Sequence, residues 1–390
     1  MCSKKPSAFR CKTNAGRVLF FVDETPAQHT NADPASGSSI RDTGEFGLID
    51  RFAALLPPLA SNSPVLLGIG DDAAVLAPTG VAGQTVVTCD LLLEDRHFRR
   101  AWCDPYRLGR KAVAVNLSDI AAMGAVPTAT FVALALPSEL PLAFADALFQ
   151  GMRDIATEYG SVIAGGDTNA SPDRIVLSIT QMGRANAGRL CRRDGAKTGD
   201  LVVTSGPLGG AAAGLALLDA FGLSEAEARN VAAVNAQLSP TPRVRAGQQA
   251  ASVGVSAMMD ISDGLLADLT KLCRASRVGA VVREADVPAH SAVPAAVDLL
   301  FPNGTEAPSV HAARFVFTGG EDYELLATIA PNRADVLKQV WHEAGCAMTI
   351  VGEIVAGSGV QVERMDGTRI AVRGGGWDHF QSVKEMSHVG

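Results

Sequence analysis

Carboxylates stand at the ends of apolar runs in this chain, at spacings that suit cation and phosphate chemistry. "VLLGIGDDAAVLAP" (65–78) sets Asp71 and Asp72 between two strand-like stretches, "TVVTCD" (85–90) ends in Asp90, and "SVIAGGD" (161–167) ends in Asp167. "SAMMDISD" (256–263) supplies Asp260 and Asp263, and "FVFTGGED" (315–322) supplies Glu321 and Asp322. Two adjacent acids repel by about a kcal/mol or more once partly desolvated. Taken singly, each of these residues reads first as a turn residue or a helix cap. Five apolar runs that each deliver acids read together as a site, because strand ends of α/β folds converge on the functional face. Packed carboxylates are costly without cations. All-oxygen donors with no His or Cys cluster nearby point to Mg²⁺, and about six acids are more than one such ion takes, so several ions are expected.

The elements that must hold these acids follow from pattern. "DPYRLGRKAVAVNLSDIAAMG" (104–124) predicts a long helix with Asp104 as N-cap, Pro105 at its first position and Gly124 just past its end. Asn116 and Asp119 share a face of that helix. The uncharged stretch Leu201–Leu218 is broken by "SGPLGG" and predicts strand, turn and helix in place of a membrane span. "RANAGRLCRRDGAKTGD" (184–200) is a polar break between apolar runs. It divides the chain into an extension (1–43), an N-terminal domain (44–187) and a C-terminal domain (188–390). The pairs "SVIAGGDT"/"FVFTGGED" and "NLSDIAAMG"/"DISDGLLADL" hint at a duplicated α/β unit.

Composition bounds the partners. The chain has 390 residues, enough for two cores, and its 47% hydrophobic and 19% charged content is globular. A net charge of −7 favours neither nucleic acid nor an anionic membrane. Seven cysteines without a Cys-x-x-Cys pair read as buried residues of a reducing compartment, and no signal peptide is recognised, so a cytoplasmic location is expected. The familiar phosphate loops are missing. "GAKTG" (195–199) lacks the Gly-Lys-Ser/Thr order of a P-loop, and "GIGDDA" (68–73) leads into a strand where a dinucleotide fingerprint needs a helix.

The order "GIGDDAAV", "TCDLLLEDRHF", "KAVAVNLSDIAAMGA", "AGGDT", "MGRA", "DISDGLLADL", "GGEDYEL" resembles the thiamine-monophosphate kinase family of the aminoimidazole-ribonucleotide-synthetase-like superfamily, from Gly44 to Phe380. The resemblance implies two related α/β domains, a homodimer formed through the first, and an active site in the cleft between domains. It implies transfer of the ATP γ-phosphoryl group to thiamine monophosphate, giving thiamine diphosphate, with Mg²⁺ as cofactor. Carried over motif by motif, Asp72, Thr88, Cys89, Asp90, Asp119, Asp167, Asp260 and Asp263 form the metal site. Gly166, Asp167, Arg184 and Ser262 contact ATP, and His97, Glu321 and Trp377 hold the thiamine substrate.

Without the resemblance, Arg184 is equally a solvated strand-end residue, His97 a surface residue and Trp377 an anchor for the C-terminal segment. Cys89 stands where the family usually has Ser or Thr. A thiol is a poor Mg²⁺ ligand, so either the backbone carbonyl binds there or that ion is held more weakly. No general base is expected, since a phosphate monoester with a second pKa of about 6 is already largely anionic at neutral pH. The alternatives are another ATP-dependent phosphoryl-transfer enzyme of the superfamily, against which "RHF" and "GWDHF" speak, and a non-catalytic nucleotide or Mg²⁺ sensor.

Overall fold

The short strands β1 (Val65–Leu67) and β2 (Ala74–Leu76) pair antiparallel, with Val65 opposite Leu76, so Asp71 and Asp72 fall in the connection between them. The computed structural model describes residues 65–67, 71–77, 83–185 and 188–372. Strands β3 (Gln84–Leu93), β4 (Val126–Pro137), β5 (Val162–Ser171) and β6 (Val176–Ala185) complete a six-stranded sheet ordered β1-β2-β3-β6-β4-β5, antiparallel except for the β4–β5 pair. Alternate residues of these strands, Leu92, Val132, Leu177 and Ile179 among them, are buried with helices α1 (Pro105–Ala122) and α2 (Leu142–Glu158). The opposite face leaves Leu91, Val126, Phe131 and Val162 exposed.

Helix α1 follows its sequence signals. The Asp104 carboxylate accepts the Arg107 N–H at 2.9 Å, Pro105 occupies the first turn, and Gly124 takes φ +66° beyond the C-cap Met123. Its contact with α2 is made through backbone. A Cβ at Gly109 would sit 1.9 Å from the Leu148 carbonyl oxygen, and one at Gly151 would sit 2.0 Å from that of Tyr106. Any side chain at either position must push the helices apart, which moves the face that carries Asn116, Ser118 and Asp119.

The second sheet contains β7 (Leu201–Thr204), β8 (Ala257–Asp260), β9 (Gly279–Arg283), β10 (Leu325–Ile329), β11 (Thr349–Val355), β12 (Gly359–Glu363) and β13 (Arg369–Ala371). Its order is β13-β12-β9-β11-β7-β10-β8, with only β9–β12 parallel. The helices of this half are α3 (Gly210–Phe221), α4 (Leu223–Leu238), α5 (Val244–Val253), α6 (Leu265–Ser276), α7 (Val293–Leu300), α8 (Pro308–Thr318) and α9 (Ala334–Glu343). Both faces are covered, and the strand alternation shows it. Val203, Met258 and Ala327 pack with Leu217, Leu238 and Trp341, while Val202, Met259 and Leu326 pack with Leu269, Leu272 and Phe317. That explains why every residue of β10 is buried, four of its five being apolar.

Three expectations about local structure need correction. Asp90 and Asp167 do not end their strands: β3 continues to Leu93 and β5 to Ser171. "FVFT" is the last turn of α8 and not a strand, since three apolar residues and a threonine before Gly-Gly satisfy either periodicity. The paired motifs are therefore not equivalent: "SVIAGGDT" lies in a strand, "NLSDIAA" inside a helix, and "DISDGLLADL" spans strand end, loop and helix. Those motif pairs give no support to a duplication.

Candidate active site

Helix α1 brings its C-terminal half against the end of β8. The Ser118 hydroxyl donates to Asp260 Oδ2 at 2.6 Å, joining the two sheets' halves of the chain. At the next residue, Asp119 Oδ2 accepts the Thr88 hydroxyl at 2.5 Å. Asn116 Oδ1 accepts the Asp90 N–H at 3.1 Å, which ties β3 to the same helix face. The result is a group of three carboxylates, Asp72, Asp119 and Asp260, with one oxygen from each lying within 4.8 Å of the others.

The electrostatics of this group are those of charge without enough counter-charge. Burial, with Asp90, Asp260 and Asp72 close by, holds Asp119 well above the usual carboxylate range, and burial with Asp72 does the same for Asp260. Burial and Asp72 raise Asp71 to about 7, and burial raises Asp90 to about 6. The cation supplied by the chain is Arg193, whose Nε and Nη2 fork onto Asp72 at 2.9 and 2.7 Å. Protons or metal must supply the rest. Oxygen-only donors held this close, two of them on the two sides of a domain seam, fit a hard divalent cation that keeps part of its water shell.

Beside the trio, the loop after β8 is fixed from inside. Asp268 accepts the N–H groups of Ser262 and Asp263, each at 3.0 Å, and Lys271 bridges the carboxylates of Asp268 and Asp263. The Ser262 carbonyl accepts the Glu321 N–H at 2.8 Å, drawing the "GGED" loop alongside and holding Glu321 at φ +67°. Asp322 accepts the Gly209 and Ala211 N–H groups at 2.6 and 3.1 Å, capping α3. The Glu321 carboxylate meets Lys111 Nζ at 2.9 Å and the Gln237 amide at 2.5 Å, and the same Lys111 ammonium donates to the Gln237 carbonyl at 3.0 Å.

The expected site residues thus divide into groups. Asp72, Thr88, Asp90, Asp119 and Asp260 converge, and Ser262, Asp263 and Glu321 line the adjoining loops. His97 sits in the turn after β3, where its Nδ1 accepts the Leu93 N–H at 2.9 Å. Cys89, Asp167 and Arg184 lie elsewhere. Registry places Cys89 beside Thr180, Arg184 beside Thr85, and Asp167 beside Ala133, all on the face of the first sheet away from α1. Gly166 and Asp167 are on the edge strand β5, three strands and roughly 14 Å from β3. Gly166 is required where it stands, since a Cβ there would lie 1.8 Å from the Val132 carbonyl oxygen. Trp377 lies outside the described residues.

Sequence reasoning missed Arg193, Lys111, Gln237, Asp268 and Lys271. The spacing of Asp268 and Lys271 on one turn of α6 is the only sequence signal among them.

Cys89 carries a prediction. Its thiol points to the open face, 3.6 Å from the Ser178 hydroxyl, so only its backbone shares the strand segment with Thr88 and Asp90. Cys89→Ser is expected to keep turnover within about threefold of the parent. A hundredfold loss, about 2.7 kcal/mol, would mean that the thiol itself acts in the site.

Comparison with known proteins agrees with this architecture. The AIR synthase related protein N-terminal domain matches residues 70–185 and the corresponding C-terminal domain matches residues 197–364. The thiamine-monophosphate kinase of Bacillus subtilis is 34% identical over 344 residues, covering 86% of this chain and 99% of the relative. That of Mycobacterium tuberculosis is 40% identical over 291 residues, covering 74% and 81%. Among solved structures, AaThiL complexed with AMPPCP and TMP superposes with a TM-score of 0.73 at 30% identity, covering 88% of this chain and all of that one. The thiamine-monophosphate kinase of Stenotrophomonas maltophilia gives 0.65 at 36% identity, covering 82% and 96%. Escherichia coli HypE, a hydrogenase maturation protein, shares the fold at 18% identity with a TM-score of 0.60, covering 84% and 96%. With both domains matched and relatives of this identity spanning most of its length, the chain belongs to the AIR synthase related family, in its thiamine-monophosphate kinase branch.

Proposed function

We propose that this chain is a thiamine-monophosphate kinase, transferring the γ-phosphoryl group of ATP to the phosphate of thiamine monophosphate. The bond that forms joins an acceptor phosphate oxygen to the γ-phosphorus, and the bond that breaks is the β,γ-bridging P–O bond, leaving thiamine diphosphate and ADP. The observation that carries this reading is the Asp72–Asp119–Asp260 group at the domain seam, two of its members buried and the third half-buried, in a chain whose relatives are kinases of this kind. The acceptor oxygen is already largely anionic near neutral pH, with a second phosphate pKa of about 6, so no side chain has to remove a proton. What remains is alignment and charge neutralisation.

Mg²⁺ is the cation this reading calls for. Asp72, Asp119 and Asp260 would hold it, with Asp90 and Asp263 beside them. When bound, it supplies the positive charge that lets two phosphate-bearing substrates share one cleft. The chain's own residues do the positioning. Thr88 and Ser118 orient two of the carboxylates, Asp268 fixes the Ser262–Asp263 turn against ATP, and Glu321 with His97 addresses the thiamine end. The exposed Leu91, Val126, Phe131 and Val162 on the open face of the first sheet support a homodimer formed there, and the absence of a long apolar helix among the described residues is compatible with a cytoplasmic location.

The test is direct. Purified protein incubated with ATP, Mg²⁺ and thiamine monophosphate is expected to form thiamine diphosphate and ADP in equal amounts, and to stop when EDTA is added. ADP release that is indifferent to thiamine monophosphate, or no diphosphate at all, rejects the assignment.

A further inference from the structure

Arg193 stands where a cation would. It opens a short 3-10 turn, Arg193–Gly195, between the two sheets, and its backbone is fixed at both ends. Its N–H donates to Asp71 Oδ2 at 3.1 Å, and its carbonyl accepts the Ser276 hydroxyl at 2.7 Å. The guanidinium forks onto both oxygens of Asp72, a side chain with no exposure, and Nε lies 3.9 Å from Asp71 Oδ1. Asp72 also belongs to the three-carboxylate group. The same carboxylate is therefore gripped by an internal cation and placed to bind an external one. In the adjoining loop Lys271 pairs with Asp263.

A carboxylate offers about four lone-pair directions, and a fork consumes two of them. A divalent cation on Asp72 would face a guanidinium across a single carboxylate, in a buried setting where like charges repel strongly. A fork geometry suited to carboxylate is equally suited to phosphate. The neighbourhood is otherwise acidic, with Asp71, Asp90, Asp119 and Asp260 around Asp72, so polyphosphate arriving there needs every cation available.

We infer that Arg193 is a displaceable counter-ion. It holds Asp72 across the domain seam while no metal is bound, yields carboxylate oxygen to the entering divalent cation, and turns its guanidinium to the phosphate chain that the cation brings. Arg193 is thus a competitor of the metal and a ligand of the nucleotide phosphates. This deepens the proposed kinase reading and rests on its use of Mg²⁺ and ATP. Its test needs no turnover, so the two stand or fall separately.

The experiment compares full-length parent, Arg193→Met and Arg193→Lys by thermal-shift titration with Mg²⁺ and by calorimetry with AMPPCP at saturating Mg²⁺. In Arg193→Met the metal-free melting temperature is expected to drop and the Mg²⁺ midpoint to fall about tenfold, because the competitor is gone. AMPPCP binding at saturating Mg²⁺ is expected to weaken about tenfold. Arg193→Lys keeps the charge but loses the fork, and should restore part of the nucleotide affinity. An unchanged or higher Mg²⁺ midpoint in Arg193→Met makes Arg193 a plain strut and overturns the inference. So does unaltered AMPPCP affinity, or a parent protein that gives no Mg²⁺ response. Loss of nucleotide affinity with the Mg²⁺ midpoint lowered sustains it, whether or not thiamine monophosphate is the acceptor.

Discussion

Asp119→Asn should remove turnover and, in the absence of metal, make the protein more stable. The two effects have one cause. Asp119 is held well above the usual carboxylate range by burial and by Asp90, Asp260 and Asp72, so the native state pays for its charge unless a cation is present. Asn has the same shape, and its side-chain oxygen can still accept the Thr88 hydroxyl that now meets Asp119 at 2.5 Å. The loss of a ligand from a charge-neutralising site should lower kcat/KM on the order of 10³-fold, about 4 kcal/mol.

The pH dependence gives a second readout. A carboxyl whose native pKa is raised keeps protons that the unfolded chain has released, so its stabilisation is complete at low pH and is lost as pH rises. With Asp71 raised to about 7 and Asp90 to about 6, the metal-free protein should lose stability between about pH 4 and pH 7. Asp119→Asn should flatten that decline, melt higher than the parent at pH 8, and no longer gain from Mg²⁺. Parent-like kcat/KM in Asp119→Asn takes this residue out of the site. Asp72→Asn is a less clean probe, because it strips the buried Arg193 of its fork and costs fold stability as well.

The parts of this site legible in sequence are those fixed by local rules. Asp104, Pro105 and Gly124 bound α1 from both ends, and three-residue spacing put Asn116 and Asp119 on one face. The Asp-Asp pair between two apolar runs marked a hairpin, and "MMDISD" marked a strand end. What was not legible depends on which surfaces other elements cover. Alternation along β3 separates Thr88 and Asp90 from Cys89, but it does not say that α1 covers the first pair. Asp167 and Arg184 obey strand patterns equally well on either face, and only the sheet order shows that they face away from the helices. Arg193 comes from a polar break with no periodicity, so nothing in its surroundings pairs it with an acid 121 residues away. Lys111 follows Arg110 and precedes the apolar run Ala112–Val115 of α1, where a snorkelling surface lysine is the ordinary reading.

Lys111 carries the largest expected effect on stability. Its side chain is 3% exposed, yet the ammonium reaches Glu321 Oε1 at 2.9 Å and the Gln237 carbonyl at 3.0 Å, both in the C-terminal half. Met in its place keeps the length and apolar stem but leaves Glu321 without a cation and the Gln237 carbonyl without that donor. Breaking a buried ion pair by removing one partner costs about 3–5 kcal/mol. The Glu321 side chain retains 27% exposure, so the lower end of that range is expected, a melting-temperature loss of about 6–12 °C. The double variant Lys111→Met/Glu321→Gln should recover more than half of it, because the stranded charge is gone while the amide can still accept from Gln237. Additive losses in the double variant would show that Lys111 and Glu321 are not energetically coupled. Function gives an independent check. If Glu321 addresses the thiamine end of the substrate, Lys111→Met should raise the KM for thiamine monophosphate and leave that for ATP nearly unchanged. A variant that loses both affinities equally has lost the domain arrangement as a whole, and the pairing of Lys111 with Glu321 then has no separate part in substrate recognition.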